Sequence, residues 1–313
     1  MTKLDEAAER AVKFSLALQP GERYLLVTDK QKLSIAEAMA FRAAEAGAET
    51  TTYLMTESLR PIQSPTSMFK DMIKSADAVT YMLDARIEEK PFRGFMVREG
   101  TKGSRICMMP GITEDMMTRL VNIDFSELAS FTERVITAIN GAEHVVIKNP
   151  EGTHLECSVK DRNWKADIGD ISRKGSHGNL PAGECFTAPV EESFTGKLVI
   201  SLIDDKLGRG EMIFKNGRLV DHNGAGVESI VRNIGNDETG LIIGEFGIGT
   251  NPGARICPNM LEAEKALGTA HFAIGDSYGL GLNSSSHHYD ALVDGITIEA
   301  DGRIIAENGR FLV

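Results

Sequence analysis

The apolar pattern of this 313-residue chain changes its grammar at Gly141, and that change limits the fold to two differently built parts. Before it, short apolar runs of strand length alternate with stretches of helical periodicity. Residues 4–18 read as an amphipathic helix, 24–28 as a strand, 34–46 as an Ala-rich helix stopped by Gly47, and 50–55 as another strand. A helix over 68–75 leads to a strand over 78–83, a short strand follows at 105–109, and 126–140 reads as a closing helix. Strands separated by helices of this length imply right-handed βαβ units around a mainly parallel sheet. A dinucleotide site would need a Gly-rich turn after the first strand, and Thr28-Asp29-Lys30-Gln31-Lys32 is not one.

Beyond Gly141 the runs are short, alternate apolar with polar, and are separated by turn sequences such as N-P-E-G, D-D-K-L-G and K-N-G. Strands are expected over 144–148, 154–159, 197–203, 209–214 and 218–222, with a final pair over 291–299 and 303–307. Helices are expected near 226–234 and 260–267. The predicted architecture is therefore an α/β N-terminal domain with a mainly parallel sheet, residues 1–140. It is followed by a β-rich, α+β C-terminal domain, residues 141–313, which carries the candidate metal-binding residues.

Charge narrows the partners. With 34 basic and 45 acidic residues the chain has a net charge of −11, which disfavours nucleic acid and an anionic membrane surface alike. No apolar run reaches the length of a membrane span, and the charged amphipathic start is unlike a signal peptide, so a cytoplasmic protein is expected. Cys107, Cys157, Cys185 and Cys257 are widely spaced with no C-x-x-C pair, so any metal should be held by nitrogen and oxygen.

The chemistry concentrates in residues 268–290, where three of the chain's seven histidines lie. His288-Tyr289-Asp290 has H-x-D spacing, which on a strand turns both polar side chains to one face. His271 could reach that face from an adjacent strand, giving two imidazoles and a carboxylate, a sufficient ligand set for a catalytic transition metal. Glu245 stands alone in the apolar, Gly-rich run L-I-I-G-E-F-G-I-G, and a buried carboxylate is costly unless paired or bound to metal. Glu184 lies in a loop punctuated by Pro181, Gly183 and Pro189.

Taken in order, these windows resemble the M29 family of metallo-aminopeptidases, the aminopeptidase T and aminopeptidase S type, of which this chain looks like a short, divergent member. N-L-P-A-G-E-C-F-T-A-P resembles the family's first glutamate loop, G-E-F-G-I-G-T-N-P its second glutamate segment, and G-T-A-H-F-A-I-G its first histidine segment. H-H-Y-D-A-L-V resembles its terminal H-x-D, and Tyr278 stands seven residues after His271, as a tyrosine does in the family.

The resemblance implies Glu184, Glu245, His271, His288 and Asp290 as ligands of two divalent ions (zinc, cobalt or manganese), with Glu245 bridging. It also implies Tyr278 beside them, a homodimer, and hydrolysis of N-terminal residues from short peptides or a related small-molecule substrate. Glu184 or Glu245 would accept a proton and Tyr278 would donate to the oxyanion. His287 should face away, and His177 should be a loop residue. Asp276, Glu191 and Glu192 are available to hold a free α-amino group. The alternative keeps the fold and uses His271, His288 and Asp290 around one Fe(II), as in a ring-cleaving dioxygenase of the 2,5-dihydroxypyridine type. A third reading is a degenerate, non-enzymatic member.

Overall fold

The computed structural model describes residues 1–62, 64–203 and 206–313. The described chain divides into two compact units, 1–125 with 169–182, and 126–168 with 183–313. The change of pattern at Gly141 falls just past the helix Phe125–Ile139.

In the first unit, five strands form a sheet in the spatial order Glu49–Leu54, Arg23–Thr28, Ala78–Met82, Arg105–Met108, His177–Asn179, every pair parallel. The helices Leu33–Glu45, Ser67–Ser75 and Lys90–Gly100 lie between successive strands of the first four, as βαβ connections require. The strand Ala78–Met82 is buried at every position, as an apolar strand covered on both faces should be. Phe69 and Phe92, with Ile73 and Met96, pack on Leu25, Val27, Val79, Tyr81 and Ile106. The expected helix over 4–18 is an α-helix over Lys3–Arg10 continued by a π-helical turn over Ala11–Ser15. Thr2 opens it with a capping box: its hydroxyl accepts from the Asp5 N–H, and the Asp5 carboxylate accepts from the Thr2 N–H. His177 departs from expectation, since it begins a strand rather than lying in a loop.

Ligands of parallel sheets bind where the strand order reverses, outside the carboxyl ends of the strands. Here that point lies between Arg23–Thr28 and Ala78–Met82, and a buried ion network closes it. Asp29 accepts from the Gln31 and Lys32 N–H groups through Oδ1, and from Arg60 Nη1 (2.7 Å) and the Asp84 N–H (2.6 Å) through Oδ2. Glu89 accepts from Arg60 Nε (3.0 Å) and Nη2 (2.7 Å) and from the Ile62 N–H. All three ionic side chains are buried, and Arg60 answers both carboxylates.

The second unit is a 13-stranded sheet in which every pair is antiparallel. Its central run is Thr195–Ile203, His288–Val293, Ala270–Gly275, Ile243–Gly249, Glu184–Thr187. Beneath it Phe246 stacks on Phe272 at 5.1 Å, and Phe194 packs edge-on against Phe214 at 5.0 Å. Burying each such ring contributes about 2–3 kcal/mol.

Three further expectations are corrected. The run 291–299 is two strands, His288–Val293 and Thr297–Ala300, because Gly295 takes φ +58° between them and sends the second to pair with Val145–Lys148. The helix expected over 260–267 is regular only over Met260–Ala263. Glu184 opens the strand Glu184–Thr187 instead of lying in a loop. No described helix is long and apolar enough to cross a membrane.

Candidate metal centre

Four neighbouring strands of the second unit set the centre by register. Gly249 pairs with Glu184, and Gly247 pairs with both Phe186 and His271. Glu245 pairs with Ala273, which pairs with Asp290, and Gly275 pairs with His288. Residues paired across antiparallel strands project to one side, so Glu184, Glu245, His271, His288 and Asp290 share a face. The alternate residues Cys185, Phe246, Ile248, Phe272, Ile274 and Ala291 face the opposite way into the core.

The small residues between the polar ones make the room. A Cβ on Gly247 would lie 1.9 Å from His271 Nε2, so the imidazole sits in the space a side chain would take. A Cβ on Gly249 would lie 2.1 Å from the Ala266 carbonyl oxygen, so that glycine lets the segment carrying Lys265 close against the strand. The Gly-rich run around Glu245 is thus what lets an all-buried strand carry a polar centre.

All five expected ligands come together, in two groups joined by Glu245. On one side, His271 Nε2 lies 3.2 Å from Glu245 Oε1 and 3.4 Å from Glu184 Oε2. On the other, His288 Nε2 lies 3.8 Å from Glu245 Oε2 and 3.3 Å from Asp290 Oδ1. Ligand atoms of Glu245, His288 and Asp290 all fall within 4.8 Å of one another. His288 Nδ1 is 2.8 Å from the Asp276 carbonyl, a contact that fixes the ring with Nε2 on the side of Glu245 and Asp290. Tyr278 stacks on His288 with ring centroids 4.4 Å apart, and its side of the centre is open, the residue being 62% exposed.

Tyr278 has φ +51°, a left-handed conformation that costs a tyrosine about 1–2 kcal/mol. Its loop is tied down to hold it. Asp276 accepts from the Tyr278 and Ser285 N–H groups, and Ser277 Oγ donates to the Asn283 carbonyl. Glu191, paired with Arg162 at 2.6 Å, accepts from the Leu282 N–H at 2.6 Å. Asp276 and Glu191, both available in sequence for an α-amino group, are therefore engaged in this loop. His287 faces away as expected, toward Asp237 and the Tyr289 ring.

Two residues were not anticipated. Lys265 is fully buried, with Nζ 2.5 Å from Glu184 Oε1, 2.5 Å from Glu264 Oε1 and 3.9 Å from Asp167 Oδ2. Glu264 brings a further carboxylate. The only signal in the sequence was the A-E-K-A-L-G-T-A-H window, where a charged pair stands in the turn leading to a histidine strand.

The electrostatics are those of a centre short of cations. Burial pushes the Glu184 carboxyl up to about 7, and the negative charges of Glu264 and Glu245 add to it against the pull of Lys265 and His271. Burial works against a charged His271, yet its hydrogen bond to Glu245 and the Glu184 charge carry it up to about 9. Against burial again, Asp290 and Glu245 carry His288 up to about 9. Burial opposes the Lys265 charge too, but Glu184, Glu264 and Asp167 hold it protonated beyond the usual lysine range. Protons therefore collect where carboxylates converge, the places a divalent ion would take. Glu184 Oε2 and His271 Nδ1 are buried without a hydrogen-bond partner, and the first points at the His271–Glu245 side. The oxygen and nitrogen donors present thus fit a divalent transition metal.

No curated protein sequence matches the chain at a significant level. Among solved structures, the chain is similar to 2,5-dihydroxypyridine dioxygenase from Pseudomonas putida, with a TM-score of 0.78 and 15% identity over 100% of this chain and 98% of that one. It is also similar to wild-type AmpT from Thermus thermophilus, with a TM-score of 0.74 and 18% identity over 99% of each chain. At these identities the likeness is one of fold. The sequence itself matches the thermophilic metalloprotease family over residues 124–311, a stretch holding every strand of the polar face, and the chain belongs to that family, M29.

Proposed function

We propose that the protein is a metal-dependent aminopeptidase that removes N-terminal residues from short peptides at a dinuclear centre. The observation that carries this reading is the division of Glu245, whose two oxygens face different imidazoles, His271 and His288. One ion would be held by Glu184 Oε2, His271 Nε2 and Glu245 Oε1, and the other by Glu245 Oε2, His288 Nε2 and Asp290 Oδ1. Charge supports the count. Among the described residues, Asp167, Glu184 and Glu264 surround the buried Lys265 ammonium while Glu245 and Asp290 stand beside His288; five carboxylates against one ammonium leave four negative charges, as many as two divalent ions would neutralise.

Zinc, cobalt or manganese in such a centre supplies a polarised scissile carbonyl and a water of lowered pKa. The chain's own groups do the rest. With both Glu245 oxygens committed to ions, Glu184 is the carboxylate left to accept the proton of the attacking water and return it to the departing amine. The Tyr278 hydroxyl, on the open side beside His288, donates to the oxygen that gains charge in the tetrahedral species. A cytoplasmic homodimer belongs to the proposal through the family resemblance.

A second reading is favoured by the compactness of one group. His288 Nε2 and Asp290 Oδ1 lie 3.3 Å apart, and with His271 they would make the two-histidine, one-carboxylate set of one iron(II) in a ring-cleaving oxygenase. Elemental analysis of protein purified without chelator, wild type against Glu245→Ala, separates the two. Two divalent ions per chain that are lost in the variant, with hydrolysis of amino-acid amides or dipeptides, are expected. A single iron that survives the substitution, with oxygen uptake on dihydroxylated aromatic rings, overturns the peptidase reading.

A further inference from the structure

Lys265 is a fully buried ammonium beside the centre. The chain fixes it firmly. The Asn251 N–H donates to the Lys265 carbonyl at 2.8 Å, the Leu267 N–H donates to the Asn251 carbonyl at 3.1 Å, and Gly249 leaves the space into which Ala266 settles. From this anchored backbone the ammonium reaches Oε1 of Glu184 and Oε1 of Glu264, each at 2.5 Å. The second oxygen of Glu184 is left without a hydrogen-bond partner and 3.4 Å from His271 Nε2. A lysine so placed has the charge and the oxygen neighbours of a bound cation but cannot dissociate.

We propose that Lys265 is a positioning residue of the metal centre: a permanent internal cation that occupies one oxygen each of Glu184 and Glu264. Glu184 then meets a metal through Oε2 alone. Two consequences follow. The carboxylates stand ready before any metal arrives, because their mutual repulsion is already partly neutralised. The ammonium also repels any divalent ion that Glu184 and Glu264 would otherwise chelate together, which confines the ions to the Glu245 side. The inference rests on the metal-dependent reading above, but not on peptide hydrolysis.

The test compares melting temperatures after EDTA treatment and at saturating Mn²⁺ for the wild type, Lys265→Met and Lys265→Arg. In Lys265→Met the metal-free protein should melt lower and the rise on adding Mn²⁺ should widen by more than about 4 °C, since the ion takes over the neutralisation. Lys265→Arg keeps the charge and should keep the wild-type interval. An interval unchanged or narrowed in Lys265→Met, as for a residue that merely supports the core, overturns the proposal.

A variant unable to fold is covered by a comparison made without metal. Glu184→Gln combined with Lys265→Met removes both charges and should melt higher than Lys265→Met alone; a double variant that melts no higher refutes the pairing. A wild type with no response to Mn²⁺ counts against the metal-dependent function, while the metal-free comparison still decides the role of Lys265.

Discussion

Substituting Gly247 by alanine puts a methyl group where the His271 ring now lies. The added carbon would stand 1.9 Å from Nε2 and 2.1 Å from Cε1, whereas ordinary contact begins at 3.4 Å. The strand cannot move away, since Gly247 is paired on both sides, with Phe186 and with His271. The ring must therefore retreat by roughly 1.5 Å, taking Nε2 out of reach of Glu184 and Glu245. Overpacking of this kind costs about 1–3 kcal/mol of stability. Displacing a ligand by more than 1 Å should lower turnover by a factor of ~10² or more. The assay is metal content per chain, with circular dichroism to show that the sheet survives. The ion held with His271 should be lost while the one held with His288 and Asp290 remains. A folded Gly247→Ala protein with wild-type metal content would refute the claim that this glycine houses the imidazole.

Proton linkage gives a second prediction. His271 and His288 rise to about 9 and Glu184 to about 7 in the metal-free centre, so the folded chain binds more protons than the unfolded one. Stability from these groups is complete at low pH and falls as pH rises, from the carboxylate range for Glu184 and from about 6.5 to 9 for the histidines. Metal must displace the same protons, so its binding near pH 7 should release about two to three protons. Titration calorimetry in buffers of differing ionisation enthalpy measures this, and binding without proton release would contradict the assigned ligands. In the first unit, Arg60→Met strands the buried Asp29 and Glu89 carboxylates and should cost about 3–5 kcal/mol in denaturant unfolding. A loss below about 1 kcal/mol would show that the network is not held by its arginine.

The sequence made the βαβ half visible because strands such as Ala78–Met82 are apolar but for one threonine and are bounded by helices. It concealed the fifth strand, His177–Asn179, whose residues have no strand character of their own and which exists only through pairing with Arg105–Met108. The candidate ligands Glu245, His271, His288 and Asp290 were legible because each is a polar residue within an apolar strand or an H-x-D pair, and alternation turns such residues to one side. Glu184 could be flagged but not placed, since Pro181 and Gly183 mark a loop that stops one residue before its strand begins. Lys265 and Glu264 stand in a turn, where charge is ordinary. Their burial comes from the close approach that Gly249 permits, a tertiary fact with no local trace.

The late arrival of His177–Asn179 has a consequence during synthesis. When Arg105–Met108 leaves the ribosome, its outer edge has no partner until a strand about 70 residues further along has emerged. At ~5–20 residues per second that interval lasts roughly 4–14 s. Throughout it, the nascent sheet presents an apolar, unpaired edge of the kind that recruits other chains. The segment that closes the edge ends at Ala182, and the next residues translated are Gly183 and Glu184. Capping the first sheet and delivering Glu184, the first of the candidate ligands, are thus consecutive events in translation, and slow codons before residue 180 should lengthen the exposure of that edge.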